Sequence, residues 1–393
     1  MQILYVSALS SERLIDSIHT KTGSNPGFAV QKFSRLLVRG LKENNVHVTT
    51  LSSPPITSRY TSKRWIDLAD ESECGIEYKY VPYLNIPILK NLCVFLYTFF
   101  YVLFWGITNR KDKVIICDVL TVALSLGALL ASILNRVKCI GVVTDIFGLM
   151  VGAVTLKARI AAKINQCYVT LFDRYILLTE QMNEKVNPKK KPFIVMEGLC
   201  DSSLLAEVPP TVNKRIPRTV LYAGGLHERY GLKMLTDAFL KANIENAILL
   251  YYGSGPYVDT YKELCKRYSN LKYGGVAPNH VVLAEEYKAT LLVNPRFTAE
   301  EFVQYSFPSK NMEFMASGTP LLTTKLPGMP IEYYPYVFLF EAETVDSYSM
   351  TLKKVLEHTD EELNAFGIKA RNFVLSNKNN IIQAKRIIDF INL

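Results

Sequence analysis

The chain alternates strand-length apolar runs with helix-period segments twice over, in two blocks separated by a proline-interrupted stretch. In the first block, Gln2–Ser7, Val46–Leu51, Lys113–Asp118, Lys138–Thr144, Tyr175–Thr179 and Phe193–Met196 have strand character, and Phe28–Leu41 and Leu120–Leu134 have helical spacing. In the second block the strands are Thr219–Ala223, Ala247–Tyr252 and Ala289–Asn294, with helices from about Leu232 and Tyr257. Such alternation predicts two open parallel sheets, each covered by helices on both faces. The 393 residues suffice for two separate cores, and the join is expected within Glu197–Pro217, where Pro209, Pro210 and Pro217 interrupt. The expected domains are therefore residues 1–197 and 198–378, followed by a terminal helix in 379–393 whose Ile381, Ile382, Ile387, Ile388 and Ile391 supply an apolar face.

At 49% hydrophobic and 21% charged the chain is globular, and its formal charge of +9 points to an acidic partner. The basic residues are scattered apart from Lys189–Lys191, which reads as a solvated interdomain loop, and no DNA or RNA recognition motif is present. No nucleic acid is expected; anionic lipid and a phosphorylated substrate fit better. Seven widely separated cysteines offer neither metal spacing nor a disulfide framework, which suits a reducing cytoplasm. The opening residues have strand character without the features of a signal peptide. Residues 92–107 form a sixteen-residue run without charge, flanked by Lys90 and by Arg110, Lys111 and Lys113. A buried helix, a helix lying in a membrane surface and a span are all open to it, the span being short at this length.

Ligands of open parallel sheets bind beyond the C-terminal strand ends, so the residues following each strand are the site candidates. Gly224 and Gly225 follow one strand and let the backbone approach a diphosphate, with Arg229 placed to pair with it or to sit on the surface. Gly253 and Gly255 form a turn after the next strand, and Arg296 follows Leu291–Asn294. Asp145, after Gly141–Thr144, is either a cleft residue or a cap for the segment beginning at Ile146; Asp118 is similarly placed. Beyond Arg296, Tyr305-Ser-Phe-Pro-Ser-Lys-Asn-Met-Glu313 leads into a helix expected to start near Pro308, capped by Ser306 and closed by Gly318, with Met312, Met315 and Ala316 facing the core. Lys310 in the first turn opposes the helix dipole, which makes sense if an anion docks between them; a solvated lysine is the other reading.

This last segment, with Met315-Ala-Ser-Gly-Thr-Pro320, resembles the nucleotide-sugar site of family-four retaining glycosyltransferases. Their fold is GT-B, two Rossmann-like domains with parallel sheets facing across a cleft. Phe307-Pro-Ser-Lys310 resembles the branch used in bacterial capsule and exopolysaccharide assembly. The resemblance implies that Glu313 holds the nucleotide ribose. The partner glutamate of the family pattern falls on Tyr305, eight residues earlier, so the pair is incomplete. Ser306 and Phe307 lie in the same donor-site stretch, and Gly27 in Asn25-Pro-Gly27 resembles the family's glycine loop. The cation pair usual in the first glycine loop is replaced by Gly225 and Tyr230, which leaves Arg229, Lys310 and Arg296 as substitutes. Asp145 corresponds to a residue that binds donor sugar or acceptor, and the terminal helix is implied to cross back to the first domain.

The expectation is a retaining transferase that passes a sugar from a nucleoside-diphosphate sugar to a polyprenyl-diphosphate-linked saccharide or oligosaccharide. No cofactor or divalent metal is expected, and the location expected is the cytoplasm, peripheral to the anionic inner leaflet of the cell membrane. A catalytically silent GT-B subunit that stabilises an active partner is the alternative, because Tyr305 replaces a glutamate.

Overall fold

The computed structural model describes residues 1–393 apart from 24–26, 109–111, 148, 150–155 and 207–215. The chain divides into two compact units, Met1–Leu199 with Asn380–Leu393, and Cys200–Asn379.

The first unit contains β1 (Gln2–Ser7), α1 (Glu12–Thr22), α2 (Phe28–Glu43), β2 (His47–Ser52), β3 (Trp65–Ile66), β4 (Glu71–Glu73), β5 (Ile76–Tyr80), β6 (Tyr83–Leu84) and α3 (Pro87–Thr108). It continues with β7 (Lys113–Asp118), α4 (Val122–Asn135), β8 (Lys138–Val143), α5 (Leu156–Val169), β9 (Arg174–Leu177), α6 (Met182–Val186) and β10 (Phe193–Val195). Eight of these strands form one sheet in the order β10-β9-β8-β7-β1-β2-β5-β4, parallel except where β4 meets β5. Ile3, Leu4, Tyr5 and Val6 of the central β1 are fully buried, as a strand covered on both faces requires.

The second unit contains β11 (Arg218–Ala223), α7 (Leu232–Ala242), β12 (Ala247–Tyr252), α8 (Val258–Arg267), β13 (Leu271–Gly275), α9 (Asn279–Lys288), β14 (Leu291–Asn294), α10 (Ser309–Ser317), β15 (Leu321–Thr323), β16 (Phe338–Leu339), α11 (Val345–Leu356) and α12 (Asp360–Asn377). Its six strands are all parallel, in the order β13-β12-β11-β14-β15-β16. A last helix, α13 (Asn380–Asn392), belongs to the first unit. It buries Gln383, Ala384, Ile387, Phe390 and Ile391, while Ile382 is exposed; the carbonyl of Asn380 sits against Gly40 of α2.

Three local expectations are corrected. The stretch before Phe28, where the sequence pattern gives no element, contains α1, whose Ser11 side chain accepts from the Leu14 N–H and whose Leu14, Ile15 and Ile18 are buried. Ser306 does not cap α10: Pro308 is the N-cap residue, and the buried Ser306 hydroxyl finds no hydrogen-bond partner. Lys189–Lys191 lies inside the first unit, where the Lys191 ammonium donates to the carbonyls of Thr170, Leu171 and Phe172. The uncharged run 92–107, for which three placements are open, is the middle of the longer α3, whose Ile88–Thr108 is long and apolar enough to cross a membrane by length and composition, with 22% of its apolar window buried. It links β6, which pairs with β3 in a separate two-stranded sheet, to β7; β5, just before β6, and β7 are both strands of the eight-stranded sheet, so the chain enters and leaves α3 from one folded unit.

Candidate functional site

The strand order of the second unit reverses between β11 and β14. A crevice opens where successive crossovers leave on opposite faces, and ligands of open α/β sheets bind there, outside the strands' C-terminal ends. The segments that follow these two strands carry the cations. Arg229 lies in a short 3₁₀ turn, Glu228–Tyr230, between β11 and α7, and Arg296 lies two residues past the end of β14. Around them the loops are tightly tied. A Cβ on Gly253 would overlap the carbonyl of Gly224, and one on Gly231 would overlap that of Pro295. The Tyr222 hydroxyl donates to the Gly225 carbonyl at 3.0 Å, the Tyr257 N–H to Leu226 at 3.0 Å, and the Thr324 hydroxyl to the Arg296 carbonyl at 2.5 Å.

Both guanidinium groups share one pair of aromatic rings. The Arg296 Cζ stands 4.9 Å from the Tyr230 ring centroid and 5.9 Å from that of Phe302; for Arg229 the distances are 5.3 and 5.6 Å. The two rings meet edge to face at 6.5 Å. Desolvation lowers the pKa of Arg296, and the neighbouring positive charge of Arg229 lowers it further. Among the described residues, neither guanidinium is ion-paired with a carboxylate. Ring faces offset part of the cost of holding two like charges together, one of them, Arg296, partly buried. A dianion placed between them would offset far more.

On α10 the arrangement differs. The Lys310 ammonium lies 3.2 Å from Glu313 and 3.8 Å from the fully buried carboxylate of Glu286 on α9, and it faces the Phe314 ring at 5.7 Å. Lys310 is thus a partly neutralised cation that also orients Glu313. The helix is fixed to the strand carrying Arg296 by Asn294 Nδ2 donating to Asn311 Oδ1 at 2.6 Å. Tyr305 and Phe307 are buried, Phe307 packing on Tyr333 at 5.2 Å. The structure therefore gathers Gly224, Gly225, Arg229, Gly253, Gly255 and Arg296 at one strand-end cluster, with Lys310 and Glu313 paired on the adjoining helix.

Gly27 and Asp145 belong to the first unit. Gly27 precedes α2 at φ +85°, with open space where a Cβ would be; the neighbouring Asn25 and Pro26 lie outside the described residues. Asp145 Oδ1 accepts the Ile146 N–H at 2.7 Å, and among the described residues no helix begins at Ile146; 148 and 150–155 lie outside the described residues. Burial raises the Asp145 pKa. Its side chain lines a cavity of about 310 Å³ together with Asn165, Gln166 and Lys185, beyond the C-terminal ends of β7 and β8. Polar groups converge there in a setting sized for part of a saccharide.

Asp118 ends β7, where the first sheet's strand order reverses beside β1. Burial pushes its carboxyl up to about 6, although it accepts the Leu120 N–H. The folded state thus retains a proton that the unfolded chain releases near pH 4, so this contribution to stability is full below about pH 4 and is lost as pH rises to about 6. Asp118→Asn is expected to stabilise the protein at neutral pH by up to about 3 kcal/mol and to flatten the pH 4–6 dependence. Urea unfolding of both forms at pH 4.5 and 7.5 checks this; equal differences at the two pH values would contradict it.

Phe302 enters the candidate site only through the fold, and Tyr230, noted in the sequence only as standing in a cation's place, gains its ring contacts there. Each is an ordinary aromatic in sequence, and only the fold brings them under the arginines.

Residues 209–373, within the second unit, match the family model described as Glycosyl transferases group 1. No curated protein matches the sequence. Among solved structures, the chain is similar to sucrose-phosphate synthase from Thermosynechococcus elongatus, with TM-score 0.65, 14% identity, and 100% of this chain and 98% of that one covered. It is similar to HepE from Anabaena in complex with UDP, with TM-score 0.64, 13% identity and 100% of both chains covered. It also resembles the pneumococcal O-GlcNAc transferase GtfA in complex with UDP and GlcNAc, with TM-score 0.62, 10% identity, and 100% and 98% covered. At such identities the likeness establishes the fold, which is GT-B.

Proposed function

We propose that this chain is a retaining glycosyltransferase of the family-four type, moving a sugar from a nucleoside-diphosphate sugar to a polyprenyl-diphosphate-linked or other saccharide acceptor in surface polysaccharide assembly, on the cytoplasmic face of the membrane. Nucleotide-sugar-dependent glycosyl transfer is the enzyme class carried by the matched group 1 domain on a GT-B fold. The observation that carries the site assignment is the guanidinium pair on shared rings at the sheet's switch point, without carboxylate partners.

In this reading Arg229 and Arg296 bind the diphosphate, the amides of the Gly224–Gly225 loop approach it, and Glu313 accepts from the ribose hydroxyls while Lys310 orients that carboxylate. Asp145 and the polar lining of its cavity hold donor sugar or acceptor. The bond from the anomeric carbon to the diphosphate oxygen breaks as the acceptor oxygen bonds on the same face, and the acceptor's proton passes to the leaving phosphate oxygen. The two guanidinium groups offset the charge that develops on the leaving group, and no divalent metal is required for that task.

UDP, bound in the HepE and GtfA structures, is the first ligand to test. UDP without metal is expected to raise the melting temperature of the purified protein, because a ligand that binds the native state stabilises it. GDP, TDP and CMP give the ranking. No shift with any of them would overturn the donor-site assignment; a shift without sugar transfer to any acceptor would favour a silent GT-B subunit.

A further inference from the structure

The outer face of α3 has no packing partner among the described residues of its unit. Its inner face is well held: Val94, Thr98 and Val102 are buried, Gly127 of α4 lies against the Phe95 carbonyl, and Asn135 Nδ2 donates to the carbonyls of Val102 and Leu103. On the other side Ile88, Leu92, Leu96, Phe100, Phe104 and Ile107 are 80, 50, 42, 61, 69 and 69% exposed. Their spacing of three or four residues makes one stripe, roughly 29 Å long at about 1.5 Å per residue. Ile133 and Leu134 of α4, 54 and 65% exposed, extend the apolar surface, since Asn135 touches the last turns of α3. A continuous apolar surface of this length is more than single exposed residues account for.

We infer that this α3–α4 face docks on a bilayer surface bearing anionic headgroups, with α3 lying in the interface plane. The inference deepens the membrane location proposed above and rests on that reading for the side of the membrane it meets. Three observations select the occupant. Neither α3 nor α4 contains an acidic residue, and exposed Arg136 and Lys138 follow the exposed end of α4, on a chain of formal charge +9. Phe100, Phe104 and the half-exposed Trp105 are side chains suited to the headgroup zone. β5, which precedes α3, and β7, which follows it, are strands of the same sheet, which keeps both ends of α3 on one folded body and favours lying on a bilayer over crossing it.

The full chain is sedimented with vesicles of phosphatidylcholine containing phosphatidylglycerol, and with phosphatidylcholine alone. The expected result is binding to the anionic vesicles that falls at least about tenfold in Phe100→Gln/Phe104→Gln, weaker binding to phosphatidylcholine alone, and a further loss in high salt. Both substituted side chains are exposed, so the variant should fold, and its UDP-induced melting shift is measured in the same preparation. An intact UDP shift with vesicle binding equal to wild type overturns the docking face and leaves the enzyme reading standing. A missing UDP shift in wild type with stripe-dependent vesicle binding does the reverse. Lipid-free self-association that the double variant abolishes, without vesicle binding, assigns the face to a second copy and overturns the inference.

Discussion

Arg296→Ala is expected to lower kcat/KM for the nucleoside-diphosphate sugar at least about 100-fold, a loss of about 2.7 kcal/mol of transition-state stabilisation. The guanidinium is pinned by the Tyr230 and Phe302 rings and by the backbone that Thr324 holds, so it is already oriented when the diphosphate arrives. Its removal leaves Arg229 alone on the same rings, in a more exposed position. Arg296→Lys keeps the charge but loses the planar fork and the stacking, so most of the defect should remain. Stability should move the other way or stay level, because the substitution removes a desolvated charge that is repelled by Arg229. Steady-state kinetics beside a melting curve reads both quantities. An unchanged donor KM and kcat would place the diphosphate elsewhere.

Gly253→Ala is expected to destabilise the protein by about 3–5 kcal/mol and to abolish the UDP-induced melting shift. Gly253 has φ +128°, a conformation closed to L side chains, and its missing Cβ is occupied by the Gly224 carbonyl. An added methyl must therefore push apart the loops after β11 and β12, at the rim of the diphosphate cluster. Gly27→Ala is the matched control. Its φ is also positive, yet a Cβ there meets open space, so backbone strain of about 1 kcal/mol is all it should cost. Urea unfolding separates the two. Equal effects would mean that the loop contact around Gly253 yields without strain.

The contrast between these glycines shows how unevenly the site was legible. Gly253 and Gly27 look alike in sequence, each in a short loop beside an apolar run. Their difference lies in a carbonyl supplied by a residue far away in the chain, which no local pattern encodes. Arg296 is similar: it follows a strand, as many residues do, and its meaning comes from Arg229 arriving at the same rings. Lys310 is the inverse case. Its place in a first helical turn suggested a phosphate, but Glu286, contributed by α9, and Glu313 hold its ammonium, so in the proposed reading it orients Glu313.

The elements themselves divide in the same way. β1, β7 and β12 were legible at their ends because strands buried on both faces must be apolar throughout, and such runs stop where burial stops. Helix α1 escaped because it buries only three residues and presents charge elsewhere; its Ser11 cap was the available signal. The apolar character of α3 was plain in sequence, but which of its faces is exposed was not. That is settled by α4, whose glycine and asparagine fit the inner side.

By itself, then, the sequence determined two parallel α/β units, their strand and helix types, and the families of residues at the strand ends. These follow from short-range rules of burial period, caps and turns. The tertiary structure decided the order of the strands, and with it that the loops after β11 and β14 are neighbours. Strand order is a property of long-range pairing, in which segments some seventy residues apart compete for the same edge. It is this adjacency that places two arginines over two rings, and electrostatics does the rest: like charges held together without a carboxylate call for an anion.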